Sequence, residues 1–93
     1  MNTQTFEDLF GPVVDIWCTR VSDDENAIAL VVEGSCGCTI MRGKDEPQWR
    51  LKRGQCALPH PELLTLRLTE DQMERAADAL MAYSERPEEW FPS

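Results

Sequence analysis

The sequence predicts a single small α+β domain. In it, an antiparallel sheet of four or five strands carries a short N-terminal helix and a long C-terminal helix packed on one face. A length of 93 residues fits one domain with one core, so residues 1–93 are assigned together. Between residues 12 and 68, runs rich in β-branched and aromatic residues alternate with polar turns, which is typical of strands. Apolar residues then recur at helical spacing over residues 69–85.

The N-terminal segment predicts a short helix followed by a strand. Thr5 is placed to cap the helix, Asp8 lies at the third position of its first turn, and Gly11-Pro12 ends it. Residues 13–21 follow as a strand because they are rich in valine, isoleucine and other strand formers.

The middle of the sheet is predicted to be a hairpin formed by residues 27–33 and 36–42. Gly34-Ser35 suits a two-residue type II′ turn between them, since glycine tolerates the positive φ of its first position. This turn would pair Val31 with Cys38 and set the register of the whole hairpin.

The C-terminal half predicts one or two more strands and the main helix. Residues 48–53 alternate apolar and polar side chains, which indicates a half-exposed strand with a basic outer face. Residues 62–68 form either a fifth strand or an extended approach to the helix. Thr69 begins the helix, Gln72 completes a capping box, and Pro87 ends it. The predicted buried stripe of the helix consists of Met73, Ala76, Ala77, Leu80 and Met81.

The charge distribution limits the class of partner. The net charge is −8, and it divides into −6 over residues 1–41, +3 over residues 42–53 and −5 over residues 54–93. Direct binding to nucleic acid or to an anionic membrane is not expected, because phosphate contacts with basic side chains dominate such affinity. A protein partner with a basic surface, including a nucleic-acid-binding complex, is compatible with this charge.

Two further features indicate a cytoplasmic protein. The longest uninterrupted apolar run, 27–32, has six residues and is far shorter than a membrane span. The N-terminus has early acidic residues and lacks the basic and apolar regions of a signal peptide. No cofactor is expected.

Acidic residues provide the strongest candidate for a partner-binding surface. Glu70, Glu74 and Asp78 are spaced four residues apart on one helix face, where like charges repel by roughly 0.2–0.5 kcal/mol per pair. Such a row is either a solubilising face or a set of carboxylates that meets basic side chains of a partner. Trp90 and Phe91 are predicted either to fold back as a clasp over the sheet or to stand exposed as an interface anchor. The candidate partner-binding residues are Glu70, Glu74, Asp78, Glu85, Asp23, Asp24, Glu25, Trp90 and Phe91.

The cysteines and the single histidine leave three interpretations open. Cys36 and Cys38 are separated by one residue, so they lack the C-x2-4-C spacing typical of structural zinc. The favoured interpretation is that the cysteines pack as small apolar side chains. The alternatives are a metal site on Cys18, Cys36, Cys38 and Cys56, with His60 as another candidate ligand, and a disulfide or redox role. His60 lies between two prolines and is expected in a rigid surface loop. The sequence contains no recognisable nucleophile–base or phosphate-binding motif, so an enzyme is not expected.

The size, acidity, compact α+β fold and lack of a catalytic set resemble small acidic phage-encoded inhibitor proteins of the anti-CRISPR type. The resemblance depends on the row of Glu70, Glu74 and Asp78, the acidic loop 22–26 and the tail 88–91. It covers the whole chain as a type, and no family residues are carried over because these inhibitors share no signature. It implies a non-enzymatic protein that blocks a basic nucleic-acid-handling protein or complex through its acidic surface. A toxin-neutralising immunity protein and a small zinc-binding module built on the cysteines are the alternatives.

Overall fold

The computed structural model describes residues 4–21, 24–56 and 59–91 and shows the predicted small α+β domain. Its main sheet has five antiparallel strands in the order β2-β3-β4-β5-β6, and β1 and β7 form a separate parallel pair. Among the described residues, no helix is long and apolar enough to cross a membrane. In chain order the elements are β1 (Gln4–Thr5), α1 (Phe6–Phe10), β2 (Val13–Val21), β3 (Asp24–Gly34), β4 (Thr39–Gly43), β5 (Trp49–Arg53), β6 (Leu63–Leu64), β7 (Leu66–Arg67), α2 (Glu70–Met81) and α3 (Pro87–Trp90).

The predicted N-terminal helix is confirmed with its cap. The backbone N–H of Asp8 donates to the Thr5 hydroxyl over 3.4 Å, and the backbone N–H of Thr5 donates to the Asp8 carboxylate over 3.1 Å. Gly11 ends the helix with a φ of 74°, a left-handed value that favours glycine. The helix is anchored because Phe6 and Phe10 are both fully buried.

The core lies between one face of the sheet and the helices. β3 contributes its even-numbered side chains to this face, and all residues from 28 to 32 are buried. The helices fill the other side of the core with large apolar groups, so burial of this face stabilises the domain. The main core residues are Phe6, Phe10, Ile16, Cys18, Leu30, Val32, Cys38, Ile40, Trp49, Ala76, Leu80 and Trp90.

The hairpin between β3 and β4 forms, but its predicted two-residue turn and register are wrong. Val31 lies opposite Met41 rather than Cys38, a shift of three positions. The backbone N–H of Gly34 donates to the Cys38 carbonyl over 2.9 Å, so the turn encloses residues 35–37. Its left-handed residue is Gly37, with a φ of 94°.

Gly34 is required for a different reason from the one predicted. A Cβ at this position would lie 2.6 Å from the carbonyl oxygen of Phe10, far inside contact distance. The end of α1 therefore packs directly on the hairpin, where the N–H of Cys36 also donates to the Phe10 carbonyl over 3.4 Å. As a result, Cys36 belongs to the turn and Cys38 immediately precedes β4, so the two do not lie on one face of one strand.

The long C-terminal helix is not confirmed. Thr69 and Gln72 form the predicted capping box, but α2 ends at Met81 after 12 residues. Ser84 takes a left-handed φ of 60°, and the N–H of Glu85 returns to the Leu80 carbonyl over 3.0 Å, as at many helix ends. No glycine marks this end, and acidic residues continue through it, so the sequence pattern does not reveal the break.

The buried stripe of α2 also differs from the prediction, because Met73 and Ala77 are only partly buried, Met81 is exposed, and Gln72 is buried instead. Ala76 and Leu80 are fully buried as expected, whereas Met81 is 56% exposed because the chain leaves the helix there. Gln72 is buried beside them, and its amide donates to the Glu7 carboxylate over 2.7 Å, which joins α2 to α1.

Candidate functional sites

The surface between α2 and α3 is a shallow groove with an apolar floor and an acidic rim, here called the acid-rimmed groove. Its position follows from the short helix that Pro87 begins beside α2, which leaves a cleft between the two helices. The floor is formed by Met73, Ala77, Pro87 and Phe91, and the rim by Glu70, Glu74 and Glu88. All four floor residues are partly exposed, and all three rim residues are exposed.

The rim carries negative charge without a paired cation. The salt bridges among the described residues join Lys44 to Glu89 and Arg50 to Glu46, and neither involves the rim. Glu70 and Glu74 are four residues apart on one helix, where like charges repel. The groove is therefore an apolar surface inside a negative potential, an arrangement that suits a cationic and partly apolar ligand.

Trp90 and Phe91 form a clasp over the sheet, one of the two alternatives that the sequence left open. Trp90 is only 1% exposed, and its indole N–H donates to the Glu85 carboxylate over 3.3 Å. The Arg42 guanidinium donates to the Trp90 carbonyl and lies 5.6 Å from the ring centre of Trp49 and 5.5 Å from that of Phe91. These cation–π contacts hold the tail against β4 and β5 while leaving part of Phe91 in the groove floor.

The predicted acidic residues are distributed over different environments. Glu70 and Glu74 lie in the groove rim, Asp78 is exposed further along α2, and Glu85 is half-buried against Trp90. Asp23 lies outside the described residues, and Asp24 and Glu25 are described only as backbone at the start of β3. The sequence analysis missed the floor, because helical spacing assigned Met73 and Ala77 to the core.

A second candidate site is a cluster of two cysteines and the histidine. The potential ligand atoms of Cys36, Cys56 and His60 all lie within 4.8 Å of one another, and all three residues are partly buried. Cys36 comes from the turn between β3 and β4, whereas Cys56 and His60 come from the irregular segment after β5. Cys38 follows Cys36 by two residues and is fully buried in the adjoining core, but its sulfur lies outside this group of ligand atoms.

The charge state of Cys36 limits the chemistry of the cluster. Burial raises the pKa of the Cys36 thiol, the backbone N–H of Cys38 lowers it, and the nearby thiols of Cys38 and Cys56 raise it further, with a net increase. Nucleophilic cysteines normally have a lowered pKa, so the free thiol is not activated for catalysis. Two thiols and an imidazole at this separation can instead bind a soft metal ion, and the two thiols can form a disulfide when oxidised.

Of the predicted metal-ligand set of Cys18, Cys36, Cys38 and Cys56, only Cys36 and Cys56 belong to this cluster. Cys18 is buried on β2, and burial together with the Glu85 carboxylate raises its pKa to about 11. The favoured interpretation of the cysteines as core residues is confirmed for Cys18 and Cys38, which are 7% and 0% exposed.

His60 is the third member of the cluster, whereas Cys18 is not a member. The His60 side chain is half-buried rather than exposed on a surface loop. Its ring centre lies 4.6 Å from that of Phe10, and its Nε2 is buried without a hydrogen-bond partner among the described residues. Sequence spacing alone does not predict that His60 lies beside Cys36. Phe10 of α1 contacts both residues, since its ring packs against His60 and its carbonyl accepts from the Cys36 N–H.

The open face of the sheet carries a third depression. Trp17, Glu33, Lys52 and Arg53 are among the residues that line it. Its one carboxylate and two cations give no single sign of charge, so it favours no particular class of ligand. Its basic residues nevertheless provide a comparison for tests of the acid-rimmed groove.

Comparison of the chain with protein-family models, with curated proteins and with solved structures finds no match. The geometry and charge of these sites therefore carry the evidence for function.

Proposed function

We propose that this protein is a non-enzymatic binding protein whose acid-rimmed groove holds a basic segment of a protein partner. The observation that supports this most directly is the partly exposed apolar floor at Met73, Ala77 and Phe91 inside a rim of carboxylates that form no ion pair within the described part of the chain. Apolar contact at the centre of an interface supplies affinity, and charged groups around it steer and orient the partner.

The spacing of the rim defines the expected ligand. Glu70 and Glu74 are separated by one turn of α2, which corresponds to about 6 Å along the helix axis. A complementary segment would carry two lysine or arginine side chains at a similar separation, with an apolar side chain between them for the floor. Binding would also relieve the repulsion between the two carboxylates.

A nucleic-acid-handling protein or complex is the partner class that we propose, because its nucleic-acid surface is basic. The carboxylates of the groove would repel phosphate, so the protein itself is not proposed to bind nucleic acid. Occupying such a surface would block it, which is the inhibitory action implied by the resemblance to phage-encoded inhibitors of the anti-CRISPR type. The same proposal places the protein in the cytoplasm with its target. Neutralisation of a basic toxin is a second candidate that uses the same surface.

The proposal is tested with a partner isolated from the producing or host cell and identified by mass spectrometry. Isothermal titration would compare the wild-type chain with the Glu70→Lys/Glu74→Lys double variant. We expect the reversal to weaken binding by about tenfold or more, equivalent to about 1.4 kcal/mol. The association rate of the wild type should also fall as salt rises, since the screening length is about 8 Å at physiological ionic strength.

Lys52→Glu/Arg53→Glu is the matched control because it reverses two exposed charges on the open face of the sheet. It should leave the affinity within about twofold, a difference well below 1 kcal/mol. Circular dichroism would establish that both variants are folded. Loss of binding in the control with full affinity in the groove variant would contradict the proposal and assign the interface to the basic strand β5.

A further inference from the structure

We infer that Cys36, Cys56 and His60, with Cys38 as the fourth ligand, form a structural zinc site. This site is separate from the acid-rimmed groove and does not depend on the proposed function. The primary observation is that the potential ligand atoms of the first three residues lie within 4.8 Å of one another in a partly buried position.

The backbone places these ligands from two segments that have no regular structure of their own. The turn after β3 presents Cys36, and its shape depends on the left-handed Gly37 and on the bond from the Gly37 N–H to the Gly34 carbonyl, 3.0 Å long. Cys56 and His60 lie beyond the end of β5 in a segment without helix or strand among its described residues. A metal ion at this point would tie the two segments together.

The histidine provides an independent indication of a ligand. Its Nε2 is buried and has no hydrogen-bond partner among the described residues, although buried polar atoms of folded proteins are normally bonded. Stacking against Phe10, at 4.6 Å between ring centres, holds the imidazole in place beside the two thiols. A fixed imidazole nitrogen of this kind is a common zinc ligand.

The combination of cysteine thiolates and a histidine imidazole favours zinc as the bound metal. Zinc in structural sites takes four ligands in a tetrahedron, and thiolate and imidazole are its usual donors. With zinc–sulfur bonds of about 2.3 Å and zinc–nitrogen bonds of about 2.0 Å, neighbouring donors lie about 3.5–3.8 Å apart. The ligand atoms lie within 4.8 Å of one another, so their separations would need to shorten by about 1 Å at most.

Cys38 is the candidate fourth ligand because it lies two residues after Cys36, at the end of the same turn; its sulfur lies outside the group of atoms within 4.8 Å of one another and would have to move to reach the metal. It is fully buried, so it would close the inner side of the tetrahedron. The resulting pattern is C-x-C from the hairpin turn and C-x3-H from the segment after β5. A closed site with four protein ligands is structural rather than catalytic, since catalytic zinc keeps a position for water.

The first test measures metal in the full chain, purified under reducing conditions without chelator from cells supplied with zinc. Atomic emission should find one zinc ion per chain in the wild type and in Cys18→Ala, and much less than one in Cys56→Ser and His60→Ala. Cys18→Ala is the matched control because it removes a buried cysteine that lies outside the cluster. One zinc ion retained by both ligand variants, or a wild-type chain without zinc, would overturn the inference.

A second measurement uses only the wild type, so it does not depend on the folding of a variant. After metal removal by chelator and denaturant, the chain is refolded with Co²⁺, whose absorption distinguishes a tetrahedral thiolate site from an octahedral oxygen site. We expect the tetrahedral spectrum at one Co²⁺ per chain, its displacement by Zn²⁺, and protection of Cys36 and Cys56 from alkylation. An octahedral spectrum, or a Cys36–Cys56 disulfide in a metal-free chain purified under the same reducing conditions, would overturn the zinc site.

Discussion

The two faces of the 12-residue helix α2 differ in burial, because one packs into the core and the other is exposed to solvent. Its inner face buries Gln72, Ala76 and Leu80 against the sheet and α1. Its outer face exposes Glu70 and Glu74 in the rim of the groove, with no ion pair to either among the described residues. The contrast shows that the proposed binding surface is placed where side chains contribute little to folding, so binding and stability can be changed separately.

The inner face is held by one contact that is distant in the sequence and by one local contact within the capping box. The side-chain amide N–H of Gln72 donates to the Glu7 carboxylate over 2.7 Å. The side-chain oxygen of Gln72, Oε1, accepts from the backbone N–H of Thr69 over 3.0 Å. The outer face has the opposite character, because its neighbouring charges are of like sign and local. Three substitutions test this contrast, in order of decreasing effect on the free energy of unfolding.

The largest effect should follow Leu80→Ala. Leu80 is fully buried in the core, and removal of a buried leucine side chain typically costs about 2–5 kcal/mol through lost burial and a new cavity. Met81→Ala is the matched control, since Met81 is 56% exposed and should change stability by less than about 0.5 kcal/mol. Urea denaturation of both variants measures the difference, and equal losses would show that the helix phase is wrong.

An intermediate effect is expected for Gln72→Ala. This change removes half of the capping box and the hydrogen bond that joins the buried Gln72 of α2 to the exposed Glu7 carboxylate of α1. We expect a loss of about 1–3 kcal/mol in the free energy of unfolding, from thermal or chemical denaturation. A loss as small as that of Glu74→Ala, on the exposed face, would mean that the Gln72–Glu7 bond does not stabilise the native state.

The smallest effect, with the opposite sign, is expected for Glu74→Gln. Glu74 lies four residues from both Glu70 and Asp78, so neutralising it removes two repulsive pairs worth roughly 0.2–0.5 kcal/mol each. Glutamine and glutamate have similar helix propensities, so the charge is the main change. The gain should be largest at low salt and disappear at about 1 M salt, where the screening length is about 3 Å.

Arg75→Gln provides a control for that charge effect. It removes a positive charge four residues after Asp71; the two form no ion pair among the described residues, so the change should lower stability by less than about 0.5 kcal/mol. Chemical denaturation at low and high salt would compare the two variants. If both changes shift stability in the same direction, the effect does not come from charge on the outer face.

Local signals in the sequence predicted the elements of the fold better than their ends and pairings. The capping residues Thr5 and Thr69 act over three residues, and both capping boxes form as predicted. The turn at Gly34 was assigned from local preference alone, whereas contact with Phe10 decides why glycine is needed there. The acidic rim could be anticipated from helix spacing, but the floor required the position of α3 beside α2.

The sequence by itself determined the α+β class, an antiparallel sheet of four or five strands, the cap at the start of each longer helix and the acidic character of the outer face of α2. These features depend on side-chain periodicity and on contacts within a few residues. Only the tertiary structure decided the register of the hairpin, the end of α2 and the meeting of Cys36 with His60. The register of the hairpin and the meeting of Cys36 with His60 depend on packing between segments far apart in the chain, where the position of Phe10 of α1 sets the space left for another segment. The helix α2 ends instead at a left-handed Ser84, which the residue pattern does not mark.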